Sequence, residues 1–189
     1  GRWTREAILD EHALLAALAA DEIPVCAPQK FPDGATLQRN EDGILFSLFP
    51  KTGGRAPDDV TAEEFEQLGR LLARIHNVSA RLRLKQRHVI SPETYGDACL
   101  DAILDRTNMP PGVEDRYVDL VEELVDLGTE AFARVPTLVV HGDCHRGNLL
   151  RGPSGWFFLD FDDMGSAPAV QDFWLLLPGR PKDCKVELD

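Results

Sequence analysis

Two polar clusters, HGDCHRGN at residues 141–148 and DFDD at residues 160–163, each follow a short apolar segment. The first apolar segment is Thr137–Val140. After HGDCHRGN the chain continues through Leu149-Leu150, a turn at residues 152–155, and a strand at residues 156–159 that ends in DFDD. A turn this short pairs the strands on either side of it as a hairpin. The loop 141–148 and the segment 160–163 then meet at one end of that hairpin. Strand alternation would put Phe157, Leu159 and Phe161 on one face and Phe158, Asp160 and Asp162 on the other. On this pattern Asp160 sits at the edge of a buried strand, aimed away from the Leu159 face.

Asp143, Asn148 and Asp160 together suit a hard divalent cation, which takes oxygen ligands from a few side chains and from substrate phosphates. Asn148 offers an amide oxygen and Asp160 a carboxylate. Asp143 is left to accept a proton from an attacking hydroxyl. Phosphoryl transfer asks for little more than a metal, a positioned acceptor and a base. A zinc site at His141, Cys144 and His145 uses the same loop. Adjacent Cys144 and His145 are poorly placed to reach one tetrahedral ion, and no second Cys or His cluster completes the set. A polar loop that merely caps a core stays open as a structural alternative.

The remaining segments frame this centre. A helix is expected over residues 5–20, capped by Thr4, with Ile8, Leu15 and Leu18 on one face. Glu11 falls on that face and is either solvated at its rim or buried with a partner. Pro24, Pro28 and Pro32 then interrupt the chain. Residues 35–40 and 44–49 form a hairpin around Asp42-Gly43, stopped by Pro50. KTGGRAPDD, residues 51–59, is a Gly/Pro-rich connector suited to an interlobe hinge. Thr61 and Glu64 form a capping box opening a helix that buries Phe65, Leu68, Leu72 and Ile75 and ends near His76, a packing or capping histidine. The basic run RLRLKQRH at 81–88 reads as solvated surface, in preference to a contact for an acidic partner. Helices follow over 92–105 and 114–134, the second with Val118, Val121, Val125 and Phe132 inward, and a short one over 170–177. The tail from Pro178 has little pattern.

With 43% hydrophobic and 28% charged residues among 189, the chain can bury a sizeable core. A net charge of −12 argues against broad nucleic-acid binding. No apolar run is long enough to span a bilayer, and Asp10 and Glu11 interrupt any signal-peptide layout. Cys26, Cys99, Cys144 and Cys184 form no C-x-x-C pair and are expected to be reduced thiols in the cytoplasm. Cys144 is expected to be inert despite its place beside Asp143.

HGDCHRGN resembles the H-G-D-x-H-x-x-N catalytic loop of the aminoglycoside phosphotransferase and choline kinase superfamily. Leu159-Asp160-Phe161-Asp162 resembles its metal-binding Asp segment. Likeness also runs through residues 3–28, 43–55 and 169–174. The resemblance implies an α+β, protein-kinase-like bilobal fold: residues 1–50 as part of an N-terminal lobe, 51–60 as hinge, and 61–189 as a mainly helical catalytic lobe. It implies ATP and Mg2+, with Asn148 and Asp160 as metal ligands and Asp143 as base. His145 would donate to the transferring phosphoryl group, and His141 would pack the loop. Leu48 and Phe49 would hold the adenine, Glu11 would pair with an ATP-binding Lys, and Asp162 would either assist the metal or be solvated. The phosphate-covering loop and that Lys are expected upstream of residue 1, and further helices beyond Leu177, so the chain by itself is expected to have weak activity or none. Whole-chain likeness favours transfer to Ser or Thr of proteins, of a stress-response type, by a monomer that binds neither nucleic acid nor membrane. A small alcohol acceptor, such as an aminoglycoside, choline or homoserine, is the alternative, and a non-catalytic nucleotide-binding scaffold the second.

Overall fold

The computed structural model describes residues 2–106, 109–110, 112–153, 155–177, 179–180, 182 and 184–185. Most of the tail and Ser154 of the expected turn lie outside them. Helix α1, Arg5–Ala20, starts as expected: the Thr4 backbone is extended and its hydroxyl accepts from the Ala7 amide at 3.2 Å. Leu14, Leu15 and Leu18 are buried against helix α2, Ala62–Ser79, which contributes Leu68, Leu72, Ile75 and Val78. Each such side chain contributes about 1.5–3 kcal/mol on burial. The capping box of α2 is present. Thr61 Oγ1 accepts from the Glu64 amide at 3.3 Å, and the Thr61 amide donates to Glu64 Oε2 at 2.9 Å. This helix runs a turn past His76, because Ser79 Oγ at its buried end donates to the Val139 carbonyl at 2.5 Å.

The first hairpin exists but is shorter than expected. Strands β1, Gln38–Arg39, and β2, Leu45–Phe46, pair antiparallel around a turn in which Gly43 has φ +84° and donates to the Asn40 carbonyl at 3.0 Å. Pairing stops at Phe46, and the Leu48 carbonyl instead accepts from the Gln29 amide at 2.7 Å. The connector 51–59 is irregular, yet Arg55 exchanges both backbone hydrogen bonds with Arg151, at 3.1 and 2.9 Å.

Strand β3, Thr137–Val140, and the hairpin of β4, Leu149–Gly152, with β5, Gly155–Phe158, form where the apolar pattern places them. Strand β6, Gly165–Pro168, was not expected. It pairs antiparallel with β3, its small residues covering the Val139–Val140 end. Residues 88–90 add a third, parallel partner: Ser166 donates to the His88 carbonyl at 3.1 Å and accepts from the Ile90 amide at 2.9 Å. This overturns the solvated reading of 81–88 at its far end, where Arg87 is buried. In place of a helix over 170–177 there is a 3₁₀ turn at Ala169–Asp172 followed by irregular turns. A π-helical turn, Glu93–Asp97, leads into helix α3, Ala98–Arg106. Helix α4, Glu114–Phe132, turns Val118, Val121, Val125 and Phe132 inward, but these are only half-buried. Among the described residues no helix is long and apolar enough to cross a membrane.

Candidate active site

Strand β3 delivers the loop 141–148 onto a buried carboxylate. Asp172 is fully buried and accepts from the His141 amide at 2.9 Å, the Gly142 amide at 3.0 Å and His76 Nε2 at 2.8 Å. His141 accepts from the Asp143 amide at Nδ1, at 3.4 Å, so its proton lies on Nε2, which donates to the Leu159 carbonyl at 2.8 Å. Burial pushes the His141 imidazole below its ordinary pKa and keeps it neutral. It packs between Phe161 and Phe158. Gly142 has φ +86°, and a Cβ there would lie 2.1 Å from the Asp163 carbonyl, so only glycine lets the loop approach the second polar segment this closely.

Asp143, His145 and Asn148 come together within this loop. Asn148 Nδ2 donates to the Asp143 carbonyl at 2.9 Å and to Asp143 Oδ2 at 3.2 Å. His145 Nδ1 accepts from the Gly147 amide at 2.9 Å. Its proton is therefore on Nε2, which faces Asp143 Oδ2 at 3.4 Å. The Asp143 carboxylate is half-exposed, with donors on one side and solvent on the other. Cys144 points into the core, where burial raises its thiol pKa well above the ordinary value.

The hairpin brings Asp160 to the same end. The Leu159 amide donates to the Asn148 carbonyl at 2.9 Å, so Asn148 and Asp160 flank one backbone hydrogen bond. The expected alternation through Asp162 does not hold, because strand β5 ends at Phe158 and Asp160 is left-handed (φ 58°, ψ 66°). That single inversion buries Phe161 and leaves Asp160 exposed. Asp160 lines a cavity of about 270 Å³ together with Glu11, Leu15, Cys26, Phe49 and Phe161. Leu48 does not line it. The Glu11 carboxylate accepts from Arg87 Nη2 at 2.9 Å. Burial raises the Glu11 pKa, opposed by the Arg87 charge. Asp162 faces Arg2 at 3.6 Å.

The donor chemistry fits a hard divalent cation. The Asn148 amide commits its NH2 to Asp143 and leaves its oxygen without a donor among the described residues. The Asp160 carboxylate likewise has no hydrogen-bond or ion-pair partner among them. Both are hard oxygen ligands. Arg87 and Asp172 were not singled out from sequence. Asp172 is a charge set among Val170, Phe173 and Trp174, which was the available signal, whereas Arg87 stands between Gln86 and His88 in a basic run and gave none.

A model of the phosphotransferase enzyme family matches residues 1–186. The chain belongs to that family. It is 35% identical, over all 189 residues, to stress response kinase A of Escherichia coli (strain K12), and 32% identical to serine/threonine protein kinase RdoA of Salmonella typhimurium. The chain spans 57% of the length of these curated relatives. Among solved structures it is similar to the amicoumacin kinase hAmiN in complex with AMP-PNP, Ca2+ and Ami (TM-score 0.75, 22% identity, 99% of this chain and 60% of that one). It is also similar to spectinomycin phosphotransferase APH(9)-Ia in complex with ADP and spectinomycin (TM-score 0.64, 16% identity, 95% of this chain and 62% of that one). This phosphotransferase-family chain thus carries the α+β, kinase-like fold over roughly three-fifths of such a protein.

Proposed function

We propose that the protein to which this chain belongs transfers the γ-phosphate of ATP to a Ser or Thr hydroxyl of protein substrates, in a stress-response setting, as a cytoplasmic monomer. The observation that carries the reading is the Asp143 carboxylate, fixed by Asn148 Nδ2 and facing His145 Nε2, at the same end of the hairpin as the exposed Asp160. Asp143 orients the acceptor hydroxyl and takes its proton as the oxygen–phosphorus bond forms and the bond to the β-phosphate oxygen breaks. His145 Nε2 donates to the transferring phosphoryl group. Asn148 Oδ1 and Asp160 would hold Mg2+, which would supply charge neutralisation at the phosphates. The cavity lined by Glu11, Phe49 and Phe158 takes the nucleotide base at its apolar part, with Phe49 in its wall; Leu48, the residue before it, is outside that lining and its carbonyl is held by the Gln29 amide. Residues 51–60 serve as hinge between the segment 1–50 and the catalytic lobe 61–189. The similarity of all 189 residues of this chain to stress response kinase A and to serine/threonine protein kinase RdoA, and the four unpaired thiols, support the reading.

The test is transfer from labelled ATP by the full-length protein, with generic protein substrates and with small alcohols. Label on protein Ser or Thr is expected. Label only on an amino alcohol or aminoglycoside would reverse the choice of acceptor, the outcome suggested by the antibiotic kinases that share the fold. Asp143→Ala is expected to lower turnover by about 10²–10⁴-fold while nucleotide still binds. Unchanged biological activity of that variant would favour a non-catalytic scaffold.

A further inference from the structure

Arg87 lies outside both polar motifs, yet its side chain is fully buried and joins three parts of the chain. Nε donates to the Ala7 carbonyl at 2.8 Å and Nη2 to Glu11 Oε2 at 2.9 Å, both on α1. Nη1 donates to the carbonyl of Asp162. The guanidinium also lies 4.4 Å over the Trp3 ring, closing its remaining face. A planar fork with several fixed donors can serve these acceptors at once, and an ammonium cannot.

The Asp162 carbonyl matters because of its neighbour. Asp160 holds a left-handed backbone, which is strained for a non-glycine residue and persists only where the surroundings impose it. On one side the Leu159 carbonyl is held by His141. On the other, the 3₁₀ turn Phe161–Asp163 is held through Asp162 by Arg87. Asp160 is thus clamped at both ends, one clamp reaching from the loop 141–148 and the other from Arg87, which is itself tied to α1.

We infer that Arg87 is a positioning residue for the metal ligand Asp160, coupling the carboxylate of Glu11 on α1 to the conformation of the DFDD segment. This rests on the proposed role of Asp160. Through Arg87, a displacement of α1 is transmitted to the metal-binding carboxylate, so that the helix and the ligand move into place together.

The experiment uses the full-length protein with Arg87→Lys and Arg87→Met, and Val78→Ala as a core variant outside the cluster. Mn2+ binding in the presence of a non-hydrolysable ATP analogue is followed by water-proton relaxation, alongside the Mg2+ dependence of transfer and the urea midpoint. Removing a residue that orients a metal ligand characteristically weakens metal binding about 10–100-fold, and Arg87 acts on Asp160 through the backbone of Asp162. Arg87→Met should fall in that range. Arg87→Lys should be intermediate, because it can hold Glu11 or the Asp162 carbonyl but not both. Val78→Ala should lower the urea midpoint and leave the Mn2+ constant unchanged, which separates positioning from general stability. A Mn2+ constant within twofold of the parent in folded Arg87→Lys would overturn the assignment even if Arg87→Met failed to fold. A parent that binds no Mn2+–nucleotide at all would instead remove the phosphotransferase reading, and this inference with it.

Discussion

Replacing Asp172 by alanine should be among the most damaging single changes in the chain, although the residue lies apart from both polar motifs. Its carboxylate is the shared acceptor for the His141 amide, the Gly142 amide and His76 Nε2, and the side chain is wholly buried. Hydrogen bonds to a charged group contribute about 1.5–3 kcal/mol each, and each buried donor left unpaired costs about 1–3 kcal/mol. These terms overlap and do not add. Breaking one buried charged cluster from one side costs about 3–5 kcal/mol, and that is the expected loss for Asp172→Ala. Asp172→Asn keeps an acceptor for one or two of the donors and should lose about half as much. With a urea slope of about 2–3 kcal/mol per molar, the alanine midpoint should fall by roughly 1–2.5 M at unchanged slope. Equilibrium urea unfolding of the full-length protein measures this. A double-mutant cycle with His76→Ala should show coupling above about 1 kcal/mol, because the two side chains share one bond. A midpoint shift below about 0.3 M, or additivity within error, would refute the view that Asp172 anchors the loop.

Gly142→Ala combines a positive-φ backbone with a Cβ 2.1 Å from the Asp163 carbonyl, so it should cost well over 1 kcal/mol and reduce turnover with little change in nucleotide affinity, read by urea unfolding and steady-state kinetics. Burial lowers the pKa of His12, His88 and His141. The unfolded chain then takes up these protons near pH 6.5 while the folded chain takes them up at lower pH, so stability is intact above about pH 6.5 and declines as pH falls through the lowered values. Glu11, raised by burial, works in the opposite sense, one group against three. Urea midpoints at pH 7.5, 6.5 and 5.5 should therefore fall, and a flat or rising series would contradict the assignment. Exposed Cys99 should react readily with a thiol reagent under native conditions. Buried Cys144, its thiol pKa raised, should react only on unfolding, and mass spectrometry of labelled peptides distinguishes the two.

What could be read along the chain was whatever depends on neighbours a few residues apart. Thr4 and Thr61 cap their helices because a hydroxyl reaches an amide three residues on, and Gly43 turns its hairpin because its backbone allows positive φ. The loop 141–148 gathers Asp143, His145 and Asn148 by its own short-range hydrogen bonds. Readings failed where a distant partner decides. Arg87 looks like one more cation in a basic run, and only Glu11, 76 positions away, makes it a buried charge. Strand β6 carries Gly165, Ser166 and Ala167, which have little strand propensity, and it forms because Val139 and Val140 need covering. Asp160 breaks the alternation because holding its inverted backbone takes His141 on one side and Arg87 on the other. One signal did cross these distances. A carboxylate on the apolar face of α1 demands a partner, and the same logic applied to Asp172 among Val170, Phe173 and Trp174 points to one of the two residues that were passed over, while Arg87, between Gln86 and His88, carries no such mark. Buried charges come in complementary sets, so an unexplained one on a core-facing pattern is a reason to search the rest of the chain for its counterpart.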